Sequence, residues 1–241
     1  MVAPLTWFAG NLPPPLFDAP IGITLYRVYP ASPDWGPLDA NKKSTARFAL
    51  CNGHHGMFYA SDREEGALWE ALLRYCAFAP GRPVQLPTAR LRGQRLATVR
   101  LHNPGVGVLR LYAPAVHHLF GDEHHPASKR ILELLTTTNH AASHAEASAI
   151  LSGLHALTPP IADMPILQWK SKQFPDANVY LAYDPPLGAG DWALIDDVPL
   201  DTPAGHARIR AALAREGYAW TPTSTGATSV ATLPTTDPED E

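Results

Sequence analysis

Cysteine is scarce in this chain. Two residues, Cys51 and Cys76, among 241 cannot build a disulfide framework or a cysteine-rich zinc site. Both lie in apolar runs, where buried free thiols and a reducing compartment are expected. Long apolar runs are also missing, and none approaches the roughly 18 residues of a membrane helix. The opening stretch MVAPLTWFAGNLPPPLF has no basic start and is broken by prolines, a poor signal peptide. The expectation is a protein acting in the cytoplasm of the cell that makes it or of a recipient cell. Glycine-rich phosphate loops are absent. There is no GxGxxG or GxxxxGK[ST] stretch, and GVG at 105–107 is too short to cradle phosphates, which argues against a dehydrogenase or a P-loop NTPase. Charge is sparse at 17%, with a formal net value of −4, which argues against direct nucleic-acid binding.

Proline is abundant, at 25 residues, and 45% of the chain is hydrophobic. Many loops, short elements and one sizeable core are therefore expected. Residues 1–20 are proline-rich, yet Trp7, Phe8 and Phe17 are too apolar for a free tail, so the segment is expected to pack on the body. The alternation in IGITLYRVYP (21–30) predicts a strand. ARFALC (46–51) and GMFYAS (56–61) predict short strands around the loop NGHH. Ser61 and Glu64 form a capping-box pattern, predicting a helix that runs to about residue 79. Strands are predicted over 95–101, 106–112, 164–171 and 178–184. Helices are predicted over 127–157, broken around 136–139, and over 204–217. Residues 221–241 are small and polar, and read as a disordered tail. Strands and helices mix without βαβ alternation, so the fold class is α+β in a single mixed domain spanning 21–220.

Three charges fit a plain core poorly. Ile21, Ile23, Leu25 and Arg27 share one strand face, and a charge on a buried face needs a partner or a ligand. Alternatively the strand ends near Tyr26 and Arg27 reaches solvent. Arg47 interrupts an apolar strand pattern, with Lys42 and Lys43 just upstream. Glu70 lies on a helix that is apolar around most of its circumference. Its narrow remaining stripe contains Arg63, Gly66, Glu70, Arg74 and Ala77. That stripe is either solvated, with a Glu70–Arg74 pair worth a few tenths of a kcal/mol, or it faces a cleft. The local cluster of Lys42, Lys43, Arg47 and Arg27 would suit a ligand carrying phosphates.

In order, LYRV (Arg27), ARF (Arg47), NGHHG, FYAS (Tyr59), ALWEAL (Glu70) and the late ILQWKSKQFPDANVYLAYD (Ser171) resemble the RES family, named for its Arg, Glu and Ser. The resemblance implies an ADP-ribosyltransferase-like fold with split small β-sheets flanked by helices, and a catalytic domain over 21–220. It also implies a toxin that degrades NAD+ by hydrolysis or phosphorolysis at the nicotinamide–ribose bond. The alternative it leaves open is transfer of ADP-ribose to a protein. Under it Arg27, Arg47 and Glu70 are catalytic. Arg27 and Arg47 cradle the diphosphate, and Glu70 stabilises the positive charge that builds on the ribose. Tyr59 stacks on the nicotinamide, and Ser171 binds the ribose or positions Glu70. NAD+ is substrate, with no cofactor and no metal. The expected partner is a cognate antitoxin or immunity protein, with a homodimer also compatible and no membrane association.

Two other classes stay open. Histidine is frequent, with eleven residues, and His140 and His144 stand i,i+4 on a predicted helix. That spacing can present two ligands of a metal-dependent hydrolase, although there is no HExxH motif. Against that reading the histidines are surface or cleft residues, or His54 or His55, in the loop between Arg47 and Tyr59, lies near the NAD site. A nucleotide-binding module without turnover is the non-enzyme reading.

Overall fold

The computed structural model describes residues 4–8, 16–17, 22–78, 81–102, 105–120 and 124–222. Among the described residues seven strands are seen: β1 Thr24–Pro30, β2 Gly56–Ser61, β3 Gln94–Leu101, β4 Val108–Arg110, β5 Ile166–Lys170, β6 Asn178–Asp184 and β7 Trp192–Pro199. They form one mixed sheet in the order β4-β5-β6-β2-β1-β3-β7. Only the β4–β5 pair is parallel. Five α-helices among the described residues accompany it: α1 Glu64–Ala71, α2 Ala115–Phe120, α3 Pro126–Thr136, α4 His140–His155 and α5 Pro203–Arg215. The fold is a single α+β domain. Among the described residues no helix is long and apolar enough to cross a membrane.

The expected split into small sheets is corrected to one continuous sheet, but its centre is thin. β1 and β3 are in register from Thr24↔Arg100 to Pro30↔Gln94. β2 and β6 are in register along all of β2. Between β1 and β2 only Tyr26↔Ser61 is paired. Beyond that rung the two strands part, leaving a seam in the middle of the sheet.

Alternation assigns the faces. Tyr26, Val28, Met57, Tyr59 and Ser61 point to the helical face. There α1 and α5 cover β1 and β3, while α3 and α4 cover β5 and β6. Leu25, Arg27, Tyr29, Phe58 and Ala60 point to the other face, covered by Trp35, Leu38 and Trp192. At the chain start, Trp7 is buried in the helical-face core. Its indole Nε1 donates to Glu146 of α4 at 3.0 Å, and the Leu5 N–H donates to the same carboxylate. Arg130 completes that fully buried carboxylate's set of partners.

Several local expectations change. The predicted strand over 46–51 is a turn, closed by the Ala49 N–H to the Ala46 carbonyl at 3.0 Å. Phe48 and Cys51 both have positive φ, 58° and 49°, incompatible with a ladder. Side chains serve this backbone instead. Ser143 Oγ accepts from the Phe48 N–H, Tyr183 OH donates to the Phe48 carbonyl, and Tyr59 OH donates to the Arg47 carbonyl. Helix α1 starts after Arg63 without a side-chain cap and ends at Ala71, followed by a 3-10 turn over Leu73–Tyr75. Ser61 is the last residue of β2, so the capping box does not form. Its Oγ accepts instead from the Arg63 N–H at 3.3 Å. The helix stops early because Trp69 and Leu73 sink into a core shared with Leu86, Leu91 and Trp220 from later segments. Tertiary packing here overrides helix propensity. β4 is shorter than predicted, and α2 and β7 had no clear pattern. Cys51 is exposed and Cys76 partly so, not buried. The predicted tail beyond residue 222, and Ile21, lie outside the described residues.

Gly66 decides how closely α1 approaches the sheet. A Cβ built there would lie 2.6 Å from the Ala177 Cβ and also against Ser61 Oγ, and Ala177 cannot rotate away. Gly66→Ala would gain about 1 kcal/mol of helix propensity. It would lose about 1–3 kcal/mol to overpacking, so the expected result is a lower midpoint in urea denaturation.

Candidate active site

The seam opens into a cavity of about 200 Å³ on the helical face. Tyr26 and Val28 of β1, Tyr59 and Ser61 of β2, and Trp169 and Val179 of the neighbouring strands form its floor. Ala67, Glu70 and Ala71 of α1 make one wall, joined by Arg74 of the following turn. Ala46 and Arg47 of the 44–51 turn and His140 at the start of α4 make the other. Arg27 and Ala60 border it where the strands part. Arg47, Tyr59 and Glu70, from three successive segments of the chain, therefore share one hollow.

Among the described residues Glu70 is the only carboxylate in this lining. It sits in the last turn of α1, where the helix dipole disfavours negative charge. The loop after β5 offsets that. Ser171 Oγ donates to Glu70 Oε1 at 2.5 Å, and the Lys172 N–H donates to the same oxygen at 3.1 Å, with the Gln173 N–H behind at 3.4 Å. Ser171 is 3% exposed. Its oxygen accepts the Gln173 and Phe174 N–H groups at 3.2 and 3.0 Å. With both acceptor positions engaged, its single proton is directed at Glu70. Ser171 does not line the cavity. Among the described contacts it acts on Glu70. The other carboxylate oxygen, Oε2, has Arg74 Nη1 at 4.0 Å. The stripe that could have been solvated thus packs on the 171–177 loop at Gly66 and opens to the cavity at Glu70.

Arg47 is anchored by α3. Its Nη2 donates to the Thr137 carbonyl at 2.7 Å, while Lys172 Nζ donates to the Thr136 carbonyl at 2.7 Å. Two cations thereby satisfy the carbonyls at the negative end of that helix. Arg47 Nε is buried without a partner. Burial pulls the Arg47 guanidinium below its ordinary pKa; Glu70 acts against this and Arg74 with it. The Tyr59 ring lines the cavity while its hydroxyl holds the Arg47 carbonyl at 2.7 Å, and burial raises its pKa well above the usual phenol value.

Arg27 departs from the expected cradle. It is 4% exposed, and its side chain lies on the face away from Glu70. Nη1 donates to the carbonyls of Asp39 and Pro37 at 2.9 and 3.2 Å, and the guanidinium stands 4.1 Å over the Phe58 ring. Trp35 and Tyr29 flank it at 5.6 and 5.7 Å. Burial lowers its pKa to about 10. It borders the cavity through β1 while its charge organises the 35–40 loop. Lys42, Lys43, His54 and His55 are not in the lining; His55 stands instead beside Asn52.

Sequence reasoning singled out His140 only as half of a metal pair. In the fold both face the backbone of the 44–51 turn. His144 Nε2 faces the Thr45 and Ala46 carbonyls at 3.0 and 3.1 Å, and its Nδ1 meets Cys51 Sγ at 3.6 Å. His140 lines the cavity, and burial followed by the charge of Arg47 lowers its pKa. Among the described residues no three His, Cys, Asp or Glu side chains gather to hold a metal ion. Trp169 and Arg74 are further lining residues not singled out as site residues from sequence. Arg74 carried a signal in its i,i+4 spacing from Glu70; Trp169 carried none. Compared with family models, curated proteins and solved structures, the chain matches none of them.

Arg27→Ala removes a buried cation, takes the Arg27 donor from the Pro37 carbonyl and leaves the Asp39 carbonyl with Trp35 Nε1. The expected cost is about 2–3 kcal/mol of stability, read as a lower denaturation midpoint. Arg27→Lys, which keeps charge but not the planar stack, should fall between it and the wild type.

Proposed function

We propose that this protein is an NAD+-consuming enzyme that cleaves the bond between nicotinamide and ribose, by hydrolysis or phosphorolysis. We further propose that it acts as a toxin restrained by a cognate antitoxin or immunity protein. The observation that carries the enzymatic reading is one carboxylate, Glu70, held by Ser171 and loop N–H groups in a cavity that also presents Arg47, Tyr59 and His140. The ordered resemblance to the RES family supports the same reading, through Arg47, Tyr59, Glu70 and Ser171.

The chemistry suits these groups. Nicotinamide leaves as a neutral base from a cationic centre, so little acid help is needed. Positive charge develops on the ribose in an oxocarbenium-like state. A fixed carboxylate beside the ribose stabilises that state more than the ground state. The donors to Oε1 keep Glu70 oriented before the reaction, so no reorganisation is needed as charge forms. Water then attacks the anomeric carbon and loses a proton, giving ADP-ribose and nicotinamide. Phosphate in place of water gives the 1″-phosphate. The cavity is smaller than the about 300–1,000 Å³ that encloses a drug-sized ligand. It therefore suits the nicotinamide–ribose end, with the rest of the dinucleotide extending outward. The Tyr59 and Trp169 rings offer apolar surface for the base.

Incubation with NAD+ and chromatographic measurement of nicotinamide tests this. The wild type should release nicotinamide, and Glu70→Gln should be about 10²–10³-fold slower with an unchanged denaturation midpoint. Failure of the wild type to release nicotinamide, or full activity of Glu70→Gln, overturns the reading. Ser171→Ala should lower kcat about tenfold or more with little change in KM, because one charge-assisted hydrogen bond is lost. A rise in KM alone would mean that Ser171 contacts substrate instead.

A further inference from the structure

The reading of the cavity as a dinucleotide site leaves one question: with the Arg27 guanidinium on the far face, which cations meet the phosphates? Two guanidinium groups line the hollow on the helical face, Arg47 on one wall and Arg74 on the other. We propose that Arg47 and Arg74 form a two-armed clamp for the diphosphate of the ligand, with Glu70 between them, Arg47 as the fixed arm and Arg74 as the movable one. This rests on the proposed function for the identity of the ligand. The anion site itself follows from the side chains.

Arg47 is fixed by its bond to the Thr137 carbonyl, which uses one of five N–H donors. Its Nε is buried without a partner, a costly state that an acceptor in the cavity would relieve. Arg74 has the opposite character. Its side chain is 36% exposed, and the 4.0 Å to Glu70 Oε2 is too long for a hydrogen bond. An exposed i,i+4 pair of this kind is worth only a few tenths of a kcal/mol, so Arg74 can leave it at small cost. Among the described residues it also contacts the neighbouring Tyr75, through the hydroxyl and over the ring at 4.5 Å.

The break in α1 contributes here. A helix continued past Ala71 would keep residue 74 directly one turn beyond Glu70. The 3-10 turn over Leu73–Tyr75 instead places Arg74 at the cavity rim, paired only loosely with that carboxylate. Two guanidinium groups thus face one carboxylate, whose Oε1 is already held by Ser171 and the loop. The local excess is positive, although the whole chain is net negative at −4. Burial and Arg47 favour the neutral form of His140, so it adds a polar group and no lasting charge. A diphosphate supplies the missing negative charge, and its paired oxygens match the forked geometry of guanidinium.

The test uses inorganic pyrophosphate and ADP-ribose as probes, with binding followed by calorimetry. Wild type, Arg74→Gln, Arg74→Lys and the exposed control Arg100→Gln are compared, each with its denaturation midpoint. Arg74→Gln should weaken both probes about tenfold or more and keep the wild-type midpoint. Arg74→Lys should be intermediate, and Arg100→Gln, with the same change in net charge, should bind as the wild type does. Equal affinity for Arg74→Gln and wild type overturns the clamp, as does failure of the wild type to bind pyrophosphate. Nicotinamide release, measured in parallel, separates the two ideas. Arg74-dependent pyrophosphate binding without any NAD+ cleavage leaves the clamp standing and removes the NAD reading. Cleavage with Arg74-independent binding does the reverse.

Discussion

Because β1 and β2 share a single rung at Tyr26↔Ser61, the sheet carries a gap at its centre, where a fully zipped pair would bury its strands. Each half is complete in itself: β1 is fully paired to β3, and β2 to β6. The gap therefore opens without leaving either half unsupported. Around it the elements arrive from every part of the chain: α1 from one side, the 44–51 turn and the start of α4 from the other. A cavity built at a seam is lined by the edges of two rigid units, and side chains placed there inherit the precision of both.

The buried charges of this protein divide by what surrounds them. Glu146 and the Arg27 Nη1 have their partners within the protein, while Arg27 Nε, like Arg47 Nε, is buried without one. Arg27 has two carbonyls and an aromatic ring, and Glu146 an indole, an arginine and a backbone N–H. Their role is to fix a loop and the chain start, respectively. Glu70 and Arg47 are different. Each is held by one side and open on the other. Glu70 has one oxygen saturated and one facing only a distant arginine. Arg47 has one donor engaged and one buried donor free. Groups satisfied by half are costly in a core and useful in a site, because the remaining capacity is available to a ligand.

How the polar residues are held also explains why the candidate site was partly legible. Glu70 stood out because a carboxylate on a nearly all-apolar helix is anomalous, and Arg47 because it interrupts an apolar run. Both are in the cavity. Arg27 stood out for the same reason, yet its charge is satisfied on the opposite face. The period of a strand shows that a charge is buried and not which carbonyls await it. Loop chemistry was the blind spot. The turn at 46–51 looked like a strand because its residues are apolar, and the donors and acceptors that replace the ladder come from Tyr59, Ser143 and Tyr183, distant in sequence. The bond from Ser171 to Glu70 spans two segments a hundred residues apart, and no local pattern encodes it.

Composition and periodicity alone determined that this chain forms one α+β body. They also located β6, the α3–α4 break and α5, because those segments bury one face of a regular element and local spacing records that directly. They pointed as well to Glu70 and Arg47 as charges that fit a plain core poorly. Only the tertiary structure decided that the strands make one sheet with a central seam, that α1 ends at Ala71, and that the Arg74 guanidinium stands on the side of Glu70 and Arg47 while the Arg27 guanidinium lies on the other face of the sheet. Those outcomes depend on which groups meet across long separations, where packing and hydrogen-bond satisfaction outweigh the few tenths of a kcal/mol per residue by which local preference speaks.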